Sequence, residues 1–401
     1  MERGALMELR LSRRIAALAP SSTTAAGRKA KALAASGVDV VDLSIGEPDF
    51  ATPEHVGRAG MRAIEGGRTK YTDVAGEAAL RDAIAGKYGR EQGAEVRREN
   101  VIVTAGAKQA VFNVCMALFD EGDEVALFSP FWVSFPEMVR LTGARPAFAE
   151  TTLGEGWHPT AAALSRAEQG DVRGVILNSP NNPTGAVTDR DELSRIVDWC
   201  AARKAWLIYD ETYDRFLYDG RAHASAAALR PRYERIVVTG AASKTFAMTG
   251  WRLGWAVGPP ELISAMASYQ SHTTSNASSI SQAAALEALT GLEDSAASVA
   301  GMLAHYESRR KTMVDGLAAI PGVRCPMPEG AFYAFADVSA LYGRKGVAGS
   351  AGFCDRLLAE AHVAAVPGDA FGEDRCVRFS FATKTDRIRE GVRRIAEWAV
   401  R

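Results

Sequence analysis

Between about residues 100 and 260, short apolar runs alternate with helix-like segments, and this alternation constrains the chain more than any other feature. "NVIVTAG" leads into "AKQAVFNVCMALF", and "DEVALFSP" leads into "FWVSFPEMVRLTG". "GVILNSP" is followed, after a loop, by "TDRDELSRIVDWCAARK", and then come "AWLIYDE", "RIVVTGA" and "LGWAVGP". Nearly continuous apolar runs are what strands need when both faces are covered. Strand–helix alternation predicts an α/β layered domain with a mainly parallel sheet. Ligands of such sheets bind beyond the carboxyl ends of the strands. The unusual residues cluster there: Gly106–Lys108, Trp132, Asn182, Asp210, Tyr213 and Lys244 each follow or end an apolar run.

From about 260 to 315 the pattern is helical and rich in Ala and Ser. "PEGAFYAFADV" and "CVRFSFAT" then read as strands, flanked by helix-like "SAGFCDRLLAEA" and "DRIREGVRRIAEWAV". This predicts a smaller α+β domain. At 401 residues the chain is too long for one ordinary core. The expected division is an N-terminal arm over 1–20, a small domain from 21–55 and 300–401, and a large domain over 56–299.

Formal net charge is −1, from 47 Lys+Arg and 48 Asp+Glu, which gives no electrostatic footprint for nucleic acid or an anionic membrane. No run approaches the ~18 apolar residues of a membrane span. The N-terminus "MERGALMELRLSRRIAALAP" is basic and weakly amphipathic, and reads as a helical arm rather than a signal peptide. Five scattered cysteines read as reduced, buried thiols of a cytoplasmic protein. Six histidines form no HxxxH or HxH pair, so no metal site is expected.

Three segments carry the chemistry. "NSPNNPTGA" sets two prolines and a glycine after a strand, making a sharply turned loop. Asn182, before Pro183, is biased to extended backbone. Read alone, its amide serves the turn backbone as well as it would serve a ligand. In "LIYDETYD", Asp210 ends an apolar strand, where an unpaired carboxylate is costly to bury. In "SKTFAMTGWRLG", Lys244 is an imine-forming nucleophile if its pKa is lowered, and Arg252 suits a phosphate. Lysine, carboxylate, phenol, amide and arginine at successive strand ends match pyridoxal phosphate. That cofactor needs a Schiff-base lysine and an acidic partner for its ring nitrogen. Its phosphate needs cations and backbone N–H groups, which "TAGAKQA" offers at a helix start.

Here the chain resembles a known family. "SPNNPTG", "DETY" and "SKTFAMTGWRLGWAVGP" are similar, in order and spacing, to the class I/II aminotransferases of pyridoxal-phosphate fold type I. "LSIGEPDF" (43–50), "KYTDVAG" (70–76) and "EGAFYAF" (329–335) extend the match from about residue 10 to the end. The resemblance is closest to bacterial aspartate aminotransferases with "GGKQA" and "YWVSYPEM" segments; this chain has "GAKQA" and "FWVSFPEM". It implies a large domain with a mainly parallel mixed sheet between helices, plus the smaller α+β domain. It also implies a homodimer with shared active sites.

The resemblance assigns roles. Lys244 would be the Schiff-base lysine and proton shuttle, and Asp210 the partner of the ring nitrogen. Asn182 and Tyr213 would hydrogen bond the ring oxygen, and Trp132 would stack on the ring. The backbone of Ala107 and Lys108, with Arg252, would hold the phosphate. Tyr71 would reach the phosphate bound by a second copy of the chain. Arg378 would clamp the substrate α-carboxylate, with Gly46 beside it. Alternation supports this, since Arg378 and Ser380 share one strand face while Val377, Phe379 and Phe381 share the other. Lys108 and Thr23 would bind a distal carboxylate, which favours aspartate as donor and 2-oxoglutarate as acceptor in ping-pong transamination. One departure stands out: Ala241 occupies the position, three before the lysine, where many relatives carry a phosphate-binding hydroxyl. An aromatic, prephenate or natural-product aminotransferase, or a pyridoxal-phosphate lyase, remains open on the same fold.

Overall fold

A computed structural model describes residues 10–19, 22–167 and 170–400. Of the expected N-terminal arm, residues 1–9 and 20 lie outside the described residues; within 10–19 there is one exposed helical turn, Arg13–Ala16.

The chain passes β1 (Val41–Asp42) and then builds one sheet of seven strands. These are β2 (Val101–Thr104), β3 (Glu124–Ser129), β4 (Arg145–Glu150), β5 (Val172–Asn178), β6 (Trp206–Asp210), β7 (Ile236–Ala241) and β8 (Gly254–Val257). Their order across the sheet is β2-β8-β7-β6-β5-β3-β4. Pairing from β4 through β7 is parallel, and β8 alone runs against both of its neighbours, β2 and β7. The expected mainly parallel mixed sheet is therefore present.

Alternation along each strand divides the apolar residues between two cores. Val101, Val103, Val175, Leu177, Leu207, Ile236 and Val238 face one. Ile102, Val125, Leu127, Ile176, Ile208 and Val237 face the other. Covering both faces explains why these strands read as unbroken apolar runs. Helices begin where the sequence supplies caps. Asp189 accepts a hydrogen bond from the Glu192 N–H at 2.8 Å to open helix Arg190–Arg203. Gly106, at φ +90°, turns the chain into helix Ala107–Leu118.

β4 has no counterpart among the expected strands. Its sequence, "RPAFAE", contains a proline and is mostly solvent-facing, as an edge strand tolerates. Its apolar signal is correspondingly weak.

A second body forms around β9 (Tyr333–Asp337), β10 (Val363–Ala364), β11 (Val366–Pro367) and β12 (Cys376–Ser380). β12 pairs antiparallel with β9 and β11, and β10 pairs parallel with β1. Val41 and Leu43 thus share a core with Met313, Phe353, Phe379 and Trp398. Helix Leu292–Ala318 runs unbroken from one body into the other, with Val299 packed against both cores.

One close approach fixes the sheet edge that matters. A Cβ on Gly254 would lie 2.4 Å from the Ala107 nitrogen and 2.5 Å from the Gly106 carbonyl carbon. β8 can therefore lie against the start of helix Ala107–Leu118 only without a side chain there. Gly254→Ala is expected to lower unfolding free energy by about 2 kcal/mol or more in urea denaturation. Gly57→Ala, with open space around it, is expected to change it by less than about 1 kcal/mol. Equal stability of the two variants would refute the close-approach account.

Candidate active site

The carboxyl ends of β2, β3, β5, β6 and β7 open into a cavity of about 460 Å³ roofed by the second body. Gly46, Ala107, Lys108, Trp132, Asn182, Asp210, Tyr213, Lys244, Arg252, Arg378 and Thr23 all line it. Tyr71 does not; it is 89% exposed on a loop outside this cavity.

Lys244 sits in the single helical turn Ala242–Thr245 that follows β7. Its Nζ donates to the Gly46 carbonyl at 2.6 Å. Burial lowers its amine to about 8; Glu47 opposes the shift, while Arg252, Arg378 and Lys108 add to it. Asp210 ends β6 and accepts from the Thr212 N–H at 3.0 Å and the Thr212 hydroxyl at 2.7 Å. Burial pushes its carboxyl up to about 6, against the pull of the Thr212 bonds.

The "NSPNNPTG" turn is held from within. The Asn178 amide donates to the Asp210 carbonyl at 2.9 Å, and its oxygen accepts from the Asn182 N–H at 2.9 Å. Asn182 then offers its own Oδ1 to Arg378 at 2.9 Å. A second Arg378 nitrogen donates to the Ser44 carbonyl at 2.9 Å. The guanidinium lies 4.3 Å from the Tyr333 ring centroid, and its buried Nε has no hydrogen-bond partner among the described residues. Tyr213 and Tyr333 share a hydroxyl–hydroxyl bond of 2.9 Å.

Arg252 adopts φ +52°, an uncommon conformation for a side-chain-bearing residue. It donates to the Thr249 carbonyl at 2.8 Å and the Ala105 carbonyl at 3.2 Å. A Cβ on Gly106 would lie 2.6 Å from its Nη2, so a glycine is needed where helix Ala107–Leu118 begins. In the same cavity, Lys108 Nζ stands 4.8 Å from the Trp132 ring centroid.

These residues fit pyridoxal phosphate. Among the described residues the buried Asp210 carboxylate has no cationic hydrogen-bond partner, which suits a protonated ring nitrogen, and a lowered amine lines the same cavity. An arginine and the open N-terminus of a helix sit side by side, suited to a phosphate. Ala241 lines the cavity and adds no hydroxyl to that cup.

Reading the sequence missed several lining residues: Tyr333, Thr212, Glu47, Thr249 and Lys31. Tyr333 was within reach, because "EGAFYAF" reads as a strand and β9 places Tyr333 opposite Ser380. Thr212 and Glu47 stand inside quoted motifs, and only the three-dimensional turn shows where they point.

The chain is similar to known proteins over nearly its whole length. The family model described as aminotransferase class I and II matches residues 38–395. The chain is 44% identical to an aspartate/prephenate aminotransferase of Thermus thermophilus, over 96% of this chain and 98% of that one. It is 40% identical to an aspartate aminotransferase of Geobacillus stearothermophilus, over 96% and 98%. Among solved structures, the aspartate aminotransferase of Rhizobium meliloti superposes with a TM-score of 0.93 at 38% identity, covering 98% of this chain and 99% of that chain. That of Thermus thermophilus with maleate gives 0.92 at 43% identity, covering 97% and 99%. The chain belongs to the class I and II aminotransferases, enzymes that depend on pyridoxal phosphate.

Proposed function

We propose that the enzyme transfers the amino group of L-aspartate to 2-oxoglutarate. The observation that carries this reading is the pair of cations, Arg378 and Lys108, that line the Lys244 cavity. One suits an α-carboxylate, and the other suits a second carboxylate. The relatives named for aspartate, and the Thermus thermophilus structure with maleate, support a dicarboxylic substrate.

When bound, pyridoxal phosphate supplies a conjugated ring that spreads the charge left as the substrate Cα loses its proton. The chain's own residues do the rest. Arg378, oriented by Asn182 and the Ser44 carbonyl, fixes the α-carboxylate. Lys244 Nζ, its amine lowered to about 8 by burial, would take up the substrate Cα proton as general base and give it back as general acid. Asp210 would pair with the protonated ring nitrogen. Asn182 and Tyr213 would hydrogen bond the ring oxygen, and Trp132 would stack on the ring. Arg252 and the Ala107 and Lys108 N–H groups would hold the phosphate. Lys108 and Thr23 bind the distal carboxylate.

The relatives named for both aspartate and prephenate favour a second substrate on the same cations, since prephenate is also a dicarboxylic 2-oxo acid. A homodimer completes the reading: Tyr71 is too exposed to serve its own cavity and is available to a second copy. Residues 21–55 and 300–401 act as the smaller domain and close over substrate. The five free thiols support a cytoplasmic location, and among the described residues no helix is long and apolar enough to cross a membrane.

Two experiments test this. In steady-state kinetics Lys108→Met is expected to raise KM for aspartate at least tenfold and to leave phenylalanine little affected. Equal effects on both donors would contradict the dicarboxylate reading. The second concerns Asp210. Its carboxyl lies at about 6 in the fold against 3.8 ordinarily. The fold therefore binds the proton more tightly than the unfolded chain, and stability falls as pH rises through that window. Cofactor-free Asp210→Asn is expected to be more stable than cofactor-free wild type at pH 8, by up to about 3 kcal/mol, and to converge with it near pH 4. It is also expected to retain the cofactor less well. Unchanged cofactor affinity would remove Asp210 from the ring nitrogen.

A further inference from the structure

Behind the cavity, the segment that carries Asp210 and Tyr213 has a second face. Asp210, Thr212 and Tyr213 line the cavity, while Glu211 and Asp214 do not. Both are buried, on the side where helix Ala78–Gln92 packs, and there they meet Lys87, which is itself only 5% exposed. Lys87 Nζ lies 2.8 Å from Asp214 Oδ2 and 3.0 Å from Glu91 Oε2. Glu211 pairs with His223 Nε2 at 2.9 Å. Tyr88, beside Lys87, accepts from the Trp255 indole at 3.0 Å. Burial works against the Lys87 charge, but Asp214, Glu211 and Glu91 outweigh it and hold the ammonium above its ordinary range.

A buried ion pair of this kind is a poor source of stability, because desolvation offsets most of the attraction and apolar residues would pack as well. What the pair does provide is direction. Asp214 has its second oxygen free of Lys87, and that Oδ1 accepts from the Thr245 hydroxyl at 3.2 Å. Thr245 is buried and directly follows Lys244 in the turn Ala242–Thr245. That turn is four residues long, too short to hold its own orientation. One carboxylate therefore ties together helix Ala78–Gln92, the Asp210–Tyr213 segment and the turn that presents the amine.

We propose that Asp214, clamped by Lys87, is a positioning residue for Lys244, acting through the Thr245 hydroxyl to aim the amine into the cavity. The inference rests on Lys244 being the reacting amine, as proposed above. Displacements of about 1 Å at a reacting group cost on the order of 100-fold in rate, so loss of this tether reads out in turnover.

The experiment uses the holoenzyme. Thr245→Val removes the hydroxyl at nearly constant shape and leaves the Lys87–Asp214 pair in place. It is expected to lower kcat about tenfold or more, with KM for aspartate within about twofold. It is also expected to alter the visible circular dichroism of the bound cofactor. Thr245→Ser, which restores the hydroxyl without the methyl, is expected to recover both. Wild-type kcat and dichroism in Thr245→Val would overturn the inference. So would a loss in Thr245→Ser that Thr245→Val does not share, because it would assign the effect to the methyl group. Lys244→Arg separates the two claims. Full turnover in that variant would refute the role of Lys244 itself. An inactive Lys244→Arg beside a wild-type Thr245→Val would refute only the positioning role of Asp214.

Discussion

Lys244 Nζ lies 2.6 Å from the Gly46 carbonyl, half-buried, with Arg252 and Arg378 near enough to disfavour its charge. Burial brings this amine down from 10.5 to about 8, so it gives up its proton far more readily than it would in water. Much of the surrounding structure sets that condition. The second body supplies Gly46 through the segment that follows β1, so its docking on the sheet buries the amine. Asp210 reaches the same cavity as a carboxylate whose ionisation burial opposes. Each group titrates closer to neutrality than it would in water, and such opposed shifts mark sites of proton transfer.

The sheet makes this arrangement possible. Parallel strands bring their carboxyl ends to one edge, so five separate loops converge without long connections. The reversed β8 adds Arg252 at the same edge, because its beginning rather than its end lies there. Gly254 and Gly106 let β8, the helix start and the Arg252 guanidinium come together with no side chain between them. Arg378 arrives from the other body on β12, whose alternation sends Val377, Phe379 and Phe381 into the core and leaves Arg378 to the cavity. The site is therefore assembled by two bodies.

Much of this was legible in the sequence because the signals were chemical rather than statistical. A carboxylate at the end of "LIYD" and a lysine among small residues after "RIVVTG" are costly placements, and costly placements call for a ligand or a partner. β4 was not legible, since an edge strand with a proline and solvent-facing residues carries little apolar pattern. Thr212 and Glu47 were hidden for another reason. Their motifs were visible, but which way a turn directs each side chain depends on backbone geometry that residue order does not state. Asp214 was least legible of all, because its buried face exists only once helix Ala78–Gln92 packs behind the loop.

The account stands on one amine. Reduction of the holoenzyme with borohydride, followed by proteolysis and mass spectrometry of the peptides, locates the lysine joined to the cofactor. The structure leads us to expect the pyridoxyl mass on the peptide that contains Lys244 and on no other. Label on Lys108, or no fixed label at all, would contradict the assignment of Lys244 and the reading of the cavity built on it.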